Sequence, residues 1–390
     1  MFKLKNKKHI LFFALILLSS SCQSNSLKNN NPINNKVQTF MNNLINDDRV
    51  PGAVFAVAKK NKILYTQAFG VSNVDTQKKV TTDTIFHIGS THKAMTSLLV
   101  AILVDEGVLT WDTKAQDIYE DFTLSNESYA SQITIRQLLD MSSGLPGDFD
   151  NPPSEARGLL EDLINIPLKA PQTQYKYSNL SVSIAGYLAV LAHKKFDNGF
   201  ITEGDLDNLH DDYEELLNEK ILIPIGMTDS YLYIDEARET NRMSKSHYLK
   251  NDAFMVSKSV DKPIDVLAPS GGLKSTVKDM MRYMIVEAQQ GTTAQGKRIV
   301  SQKNMIERQT LSYGISGEEE YGLCLEVKTL DNGMKYVGIA GSFDDFNSAI
   351  GFFPKQKISF VLLTNGDSED VLDLTGDEIE NQMAQWVNQF

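Results

Sequence analysis

The sequence predicts an α+β fold: one antiparallel sheet built from both ends of the chain and flanked by helices, with a mostly helical domain inserted between. Three observations carry this. Two β-rich runs, residues 53–58 and 63–69, surround the polar turn Lys59-Lys60-Asn61-Lys62 near the N-terminus, the pattern of a hairpin. Four more, residues 321–327, 334–339, 348–353 and 358–364, fill the C-terminal third, with turns at Asp331-Asn332-Gly333 and Pro354-Lys355-Gln356. Between them the character is helical. The α/β part is therefore expected at 36–80 and about 300–390, and the helical part at about 81–299.

The elements follow in chain order. Lys3, Lys5, Lys7 and Lys8 precede the apolar run 10–18, then Ser19, Ser20, Ser21 and Cys22. Nine apolar residues span about half of a bilayer core, so residues 1–22 read as a signal peptide and not a membrane-spanning helix. Residues 23–35, QSNSLKNNNPINN, are polar and Asn-rich and read as a flexible tether. Residues 37–44 look like a short amphipathic helix. Residues 94–104 are apolar at nine of eleven positions, so that helix is expected to be central and buried all round, with Gly107 as its stop. A last helix carries Ile379, Met383, Trp386, Val387 and Phe390 at mainly three- and four-residue spacing.

Composition narrows the function. The chain has 390 residues, 42% hydrophobic and 23% charged, the proportions of a globular protein. Its formal charge is −12, and with no acid before residue 36 the body is more acidic still. Such a body repels polyphosphate, so nucleic acid is not an expected partner. Two cysteines, Cys22 and Cys324, are too few for a disulfide scaffold or a multi-cysteine zinc site.

The chemistry points to Phe86-His87-Ile88-Gly89-Ser90-Thr91-His92-Lys93, which runs into the apolar helix. Ser-x-x-Lys places hydroxyl and amine on one face, one helical turn apart. Ser90 can attack an acyl carbonyl if Lys93 takes its proton, which requires burial to lower the amine pKa from about 10.4. The Ser90 N–H at the helix start would supply half of an oxyanion hole. Ser-x-x-Lys also occurs at Ser259 and Ser275, the first before Pro263 in a polar loop. The second reads as a helix start, with Thr276 and Asp279 as a capping box. Tyr177-Ser178-Asn179 opens another apolar helix. Tyr177 could carry a proton between serine and leaving group and Asn179 could bind a substrate carbonyl. A structural tyrosine and a helix cap are the plain alternative.

Ser90-x-x-Lys93, Tyr177-x-Asn179 and a Gly-containing strand near the C-terminus occur in the order found in serine β-lactamases and penicillin-binding proteins. The chain resembles class C β-lactamases and their relatives, D-amino-acid peptidases and β-lactamase-like carboxylesterases. The resemblance runs from about residue 50 to 364. It includes Val50-Pro51-Gly52-Ala53, Leu138-Leu139-Asp140-Met141-Ser142-Ser143-Gly144-Leu145-Pro146, Pro224-Ile225-Gly226-Met227 and Pro269-Ser270-Gly271-Gly272-Leu273. It implies a β-lactamase/transpeptidase-like fold, with Ser90 as nucleophile, Lys93 as base and Tyr177 as proton carrier. Where relatives carry Lys-Thr-Gly or His-x-Gly, this chain has Ile339-Ala340-Gly341, then Ser342. Gly341 would let a substrate approach the strand, and the Ser342 N–H would complete the oxyanion hole. Ile339 supplies neither cation nor imidazole.

The expectation is an envelope serine hydrolase acting through an acyl-enzyme on a small-molecule ester, amide, peptide or β-lactam, with no cofactor and no metal. A low-turnover binding protein keeping the same pocket is the alternative. The Leu-Ser-Ser-Ser-Cys ending resembles a bacterial lipoprotein signal, though Leu18 lies four places before Cys22 instead of three. It implies a lipid-modified Cys22 anchoring the body to a membrane on the periplasmic side, plain secretion being the alternative. His92 and Cys324 read as buried structural residues, and the acidic stretch 205–215 as a solvated helix face.

Overall fold

The computed structural model describes residues 32–47, 49–147, 153, 155–258, 265–311, 321–367 and 374–390. The leader, Cys22, most of the tether and the Ser259–Lys262 pair lie outside the described residues. Twelve strands are described: β1 Gly52–Lys59, β2 Lys62–Asn73, β3 Lys78–Lys79, β4 Ile85–His87, β5 His247–Lys250, β6 Ala253–Val256, β7 Lys274–Thr276, β8 Glu326–Thr329, β9 Lys335–Phe343, β10 Phe346–Phe353, β11 Ile358–Thr364 and β12 Gly366–Asp367. Seven of them form one sheet in the order β3-β2-β1-β11-β10-β9-β8. Its pairs are all antiparallel. The join between the two ends of the chain runs from Ala53 opposite Thr364 to Lys59 opposite Ile358. The sheet from both termini is thus present.

Its central strands β1, β11 and β10 are buried almost from end to end because both faces are covered. Val54, Ala56 and Ala58 of β1 point into a core shared with the central helix His92–Asp105 and the helix Val277–Ala288. Ala53, Phe55 and Val57 point the other way, under the helices Pro32–Asn46 and Ile379–Trp386. The architecture is helix–sheet–helix.

Several boundaries differ from expectation. The first helix begins at Pro32, so residues 32–35 belong to it and not to the tether. Ile33, Val37, Met41 and Leu44 recur at three- and four-residue spacing and are all buried, and that apolar stripe overrides the polar composition. The expected strand 321–327 is displaced to β8, which begins only at Glu326 and runs to Thr329: Cys324 has a left-handed φ of +60°, which breaks an extended run, and its buried thiol donates to the Leu139 carbonyl at 3.3 Å. The helical part contains β4 to β7, with β4 paired to β7 and β5 to β6. The expected strand 334–339 continues to Phe343, which brings Gly341 and Ser342 into the sheet.

Phe40 and Trp386 meet edge-to-face at 5.5 Å, linking the first and last helices over the sheet. Trp386 is buried, so Trp386→Ala should cost about 3–5 kcal/mol by cavity formation. Chemical denaturation measures the loss, and proteolysis should become faster in the first helix than in the central one.

Candidate active site

Ser90 is presented by a short 3-10 turn, Gly89–Thr91, that leads directly into the helix His92–Asp105. Two side chains fasten the turn: Thr91 Oγ1 and Ser348 Oγ of β10 both donate to the Ile88 carbonyl, at 2.8 and 2.6 Å. Close backbone contact does the rest. Gly89 has φ +51°, and a Cβ there would lie 2.8 Å from the Ser342 carbonyl carbon and oxygen. A Cβ on Gly341 would lie 2.6 Å from the Ile88 oxygen and 2.7 Å from the Thr91 nitrogen. Glycine is therefore required at 341 by the turn Gly89–Thr91 itself.

Lys93 is fully buried, as the sequence reading required. Its Nζ donates to Ser90 Oγ at 2.8 Å and to the Ser270 carbonyl at 2.8 Å. The neighbouring carbonyls are matched too: His92 Nδ1 donates to Ala268 at 2.9 Å and Thr96 Oγ1 to Pro269 at 2.6 Å. Three successive carbonyls, 268 to 270, thus receive three side chains of the helix His92–Asp105. This is the physical role of the Pro269-Ser270-Gly271-Gly272 segment, which the sequence marks only through the family resemblance. Thr96 and His92 also reach the Tyr213 hydroxyl, at 2.7 and 3.2 Å. Tyr213 is a further member that sequence reasoning missed: it lies within the acidic stretch 205–215, which reads from sequence only as a solvated helix face.

Tyr177 Oη donates to Ser90 Oγ at 2.7 Å, and the Lys93 amine lies 4.9 Å from the centre of its ring. Its segment is pinned to the preceding turn: Gln172 N–H donates to Ser142 O, Lys176 N–H to Met141 O and Asn179 N–H to Gly147 O, at 2.8–2.9 Å. Ser178, and not Asn179, caps the helix Asn179–Asn198, its Oγ accepting from Ser181 N–H at 3.0 Å. That leaves the half-buried Asn179 at the first helical position beside Tyr177.

On β9, Ser342 is exposed and its backbone abuts Gly89. β8 pairs with β9 only through residues 335–338, so among the described residues no strand flanks 339–343 on that side. Ile339 is different. It is 3% exposed, sits opposite Ile350 and belongs to the core that holds Ile88 and Leu98, so its type is fixed by packing.

The structure therefore brings Lys93 and Tyr177 onto the Ser90 hydroxyl and sets the Ser342 backbone against the neighbouring Gly89, while Asn179 lies two residues beyond Tyr177 and Ile339 and Gly341 lie on β9. The competing pair Ser275–Lys278 is not a site: Ser275 is buried in β7 and Lys278 pairs with Asp83 at 2.5 Å. Thr276 does cap its helix, but Asp279 does not reach back to complete a capping box. Its carboxylate receives Asp229 N–H at 2.7 Å and Ser230 Oγ at 3.0 Å. In the acidic stretch, Asp205 and Asp212 both pair with Lys194. Among the described residues no group of three or more His, Cys, Asp or Glu is arranged to hold a metal.

Chemically, a hydroxyl hydrogen-bonded to both a buried amine and a phenol is suited to nucleophilic attack with proton transfer. The family model described as Beta-lactamase matches residues 33–382. Among curated proteins, the chain is 28% identical over 250 residues to the unguisins hydrolase ungD' of Aspergillus campestris, covering 60% of this chain and 43% of that one. It is 24% identical over 362 residues to protein flp of Staphylococcus aureus, covering 90% and 66%. The chain thus spans less than two thirds of the length of either relative. Among solved structures, the octameric penicillin-binding protein homologue from Pyrococcus abyssi superposes with a TM-score of 0.69 at 24% identity, covering 85% of this chain and 73% of that one.

Burial holds the His92 imidazole far down, at about 3, with Lys93 and Lys274 adding repulsion against a second proton. The unfolded chain takes up that proton near pH 6.5 and the folded one only near pH 3. Stability is therefore lost as pH falls through this window, by about 2 kcal/mol between pH 7 and pH 5. His92→Gln should lower the melting temperature at pH 7 but lose less than the wild type on going to pH 5. Melting curves at both pH values check this.

Proposed function

We propose that this chain, which belongs to the beta-lactamase family, is a serine hydrolase that works through an acyl-enzyme. The observation that carries the reading is the pair of hydrogen bonds on Ser90 Oγ, one from Lys93 and one from Tyr177. Ser90 Oγ bonds to the substrate carbonyl carbon while its proton passes to the neutral Lys93 amine. The carbonyl oxygen becomes an oxyanion facing the Ser90 and Ser342 N–H groups. The bond to the leaving group then breaks, and Tyr177 delivers the proton relayed from Lys93. Water repeats the sequence in reverse on the acyl-Ser90 ester, releasing the acid.

A fluorophosphonate probe tests this directly. Ser90 Oγ attacks phosphorus, fluoride leaves, and Lys93 takes the hydroxyl proton. The wild type should be labelled and Ser90→Ala should not. Lys93→Arg should label about 100- to 10,000-fold more slowly, because guanidinium does not act as a base. Near-normal labelling of that variant overturns the assignment.

The acyl donor is proposed to be a neutral ester in preference to a β-lactam or a peptide with a free carboxylate. Ile339 turns its apolar side chain into the core, so this position offers no charged hydrogen bond to an anion. Such a bond contributes roughly 1.5–3 kcal/mol, about ten- to a hundredfold in rate. kcat/KM for p-nitrophenyl butyrate should therefore exceed that for a chromogenic cephalosporin and for D-alanyl peptides. The reverse order sinks this part of the reading.

The address is proposed to be the bacterial envelope, with lipid on Cys22. Fractionation should find the wild type in membranes and Cys22→Ala in the soluble periplasm. Equal partition of both would leave plain secretion.

A further inference from the structure

Arg308 closes the helix Gln302–Arg308 and is fully buried. Its guanidinium makes contacts in three directions. Nη2 donates to the Ala94 carbonyl at 2.6 Å, Nε to Ser97 Oγ at 3.0 Å, and Nη1 to Glu287 Oε1 at 2.8 Å, with Met305 Sδ at 3.4 Å. Glu287, itself 1% exposed on the helix Val277–Ala288, also accepts from Tyr283 Oη at 2.5 Å.

A buried ion pair is weak evidence for stability, because the desolvation of two charges offsets most of their attraction. An apolar pair of similar volume would fill the space as well. What an apolar pair cannot do is hold two polar points on the nucleophile helix. Ala94 follows Lys93 directly in the chain, and Ser97 lies one turn beyond Lys93. The carbonyls of 268 to 270 grip the same turn through His92, Lys93 and Thr96, so the guanidinium fastens it from an adjacent face.

We propose that Arg308, held by Glu287, is a positioning residue that fixes the first turn of the nucleophile helix and thereby the reach of Lys93 to Ser90. The inference rests on the serine-hydrolase reading. A base displaced by about 1 Å loses on the order of 100-fold in rate, so the clamp acts on chemistry while the fold persists.

The test uses the full chain, a fluorophosphonate probe, and a temperature well below each variant's melting point. Arg308→Met leaves Glu287 buried and unpaired and should both destabilise the protein and slow labelling of Ser90 about 10- to 100-fold. The double variant Arg308→Met with Glu287→Leu removes both charges. It should regain most of the melting temperature yet still label about 10- to 100-fold slowly. Arg308→Lys keeps the charge but lacks the planar fork that reaches Ala94 and Ser97 together, and should label at an intermediate rate. Labelling of the folded double variant at the wild-type rate overturns the inference, since the pair would then act through stability alone. If the double variant does not fold, wild-type labelling by Arg308→Lys overturns it and slower labelling supports it. A wild type that fails to label defeats the serine-hydrolase reading instead, and the two failures are thereby distinct.

Discussion

The first turn of the helix His92–Asp105 must be buried for its lysine to stand in a dry environment beside Ser90, and burial obliges every polar group there to find a partner inside the protein. The rest of the structure is arranged around that obligation. Lys93 is matched by Ser90 Oγ and the Ser270 carbonyl, His92 by Ala268, Thr96 by Pro269, and the Ile88 carbonyl by Thr91 and Ser348. Removing water makes each contact electrostatically stronger and makes each omission costly.

The sheet supplies the other half of the frame. β9 and β10 run past the turn Gly89–Thr91 so closely that neither Gly89 nor Gly341 has room for a side chain. This contact fixes Ser342 beside Ser90 by backbone packing, which cannot shift without moving the sheet. Because the sheet is covered on both faces, its position is set by two cores and not one. The polar site therefore rests on a rigid apolar base.

Charge is used sparingly. The body is acidic, yet the groups nearest Ser90 are an amine, a phenol and amide dipoles. Arg308 is balanced by Glu287 at 2.8 Å. Exposed pairs such as Arg157 with Glu161, Glu203 and Asp207 contribute little individually and lie on the helical part, on the surface.

Much of this was legible in the residues. Alternating and continuous apolar runs revealed the strands at both ends, because a side-chain period of two or an unbroken β-branched run has few other solutions. Ser-x-x-Lys before an apolar helix marked the Ser90–Lys93 pair that hydrogen-bonds in the structure, because helical geometry alone puts residues three apart on one face. Tyr177 was picked out by its motif, but that its hydroxyl reaches Ser90 is a fact of tertiary structure, 87 residues distant in the chain. The carbonyls of 268 to 270, Tyr213 and Arg308 were not legible at all. A backbone carbonyl has no sequence signature, and an arginine reads as surface until folding surrounds it. The same holds for Gly341 and Ile339. The sequence shows a small and an apolar residue where a site was expected, and only the packing of β9 against the turn Gly89–Thr91 decides that the glycine makes room for backbone and the isoleucine fills the core.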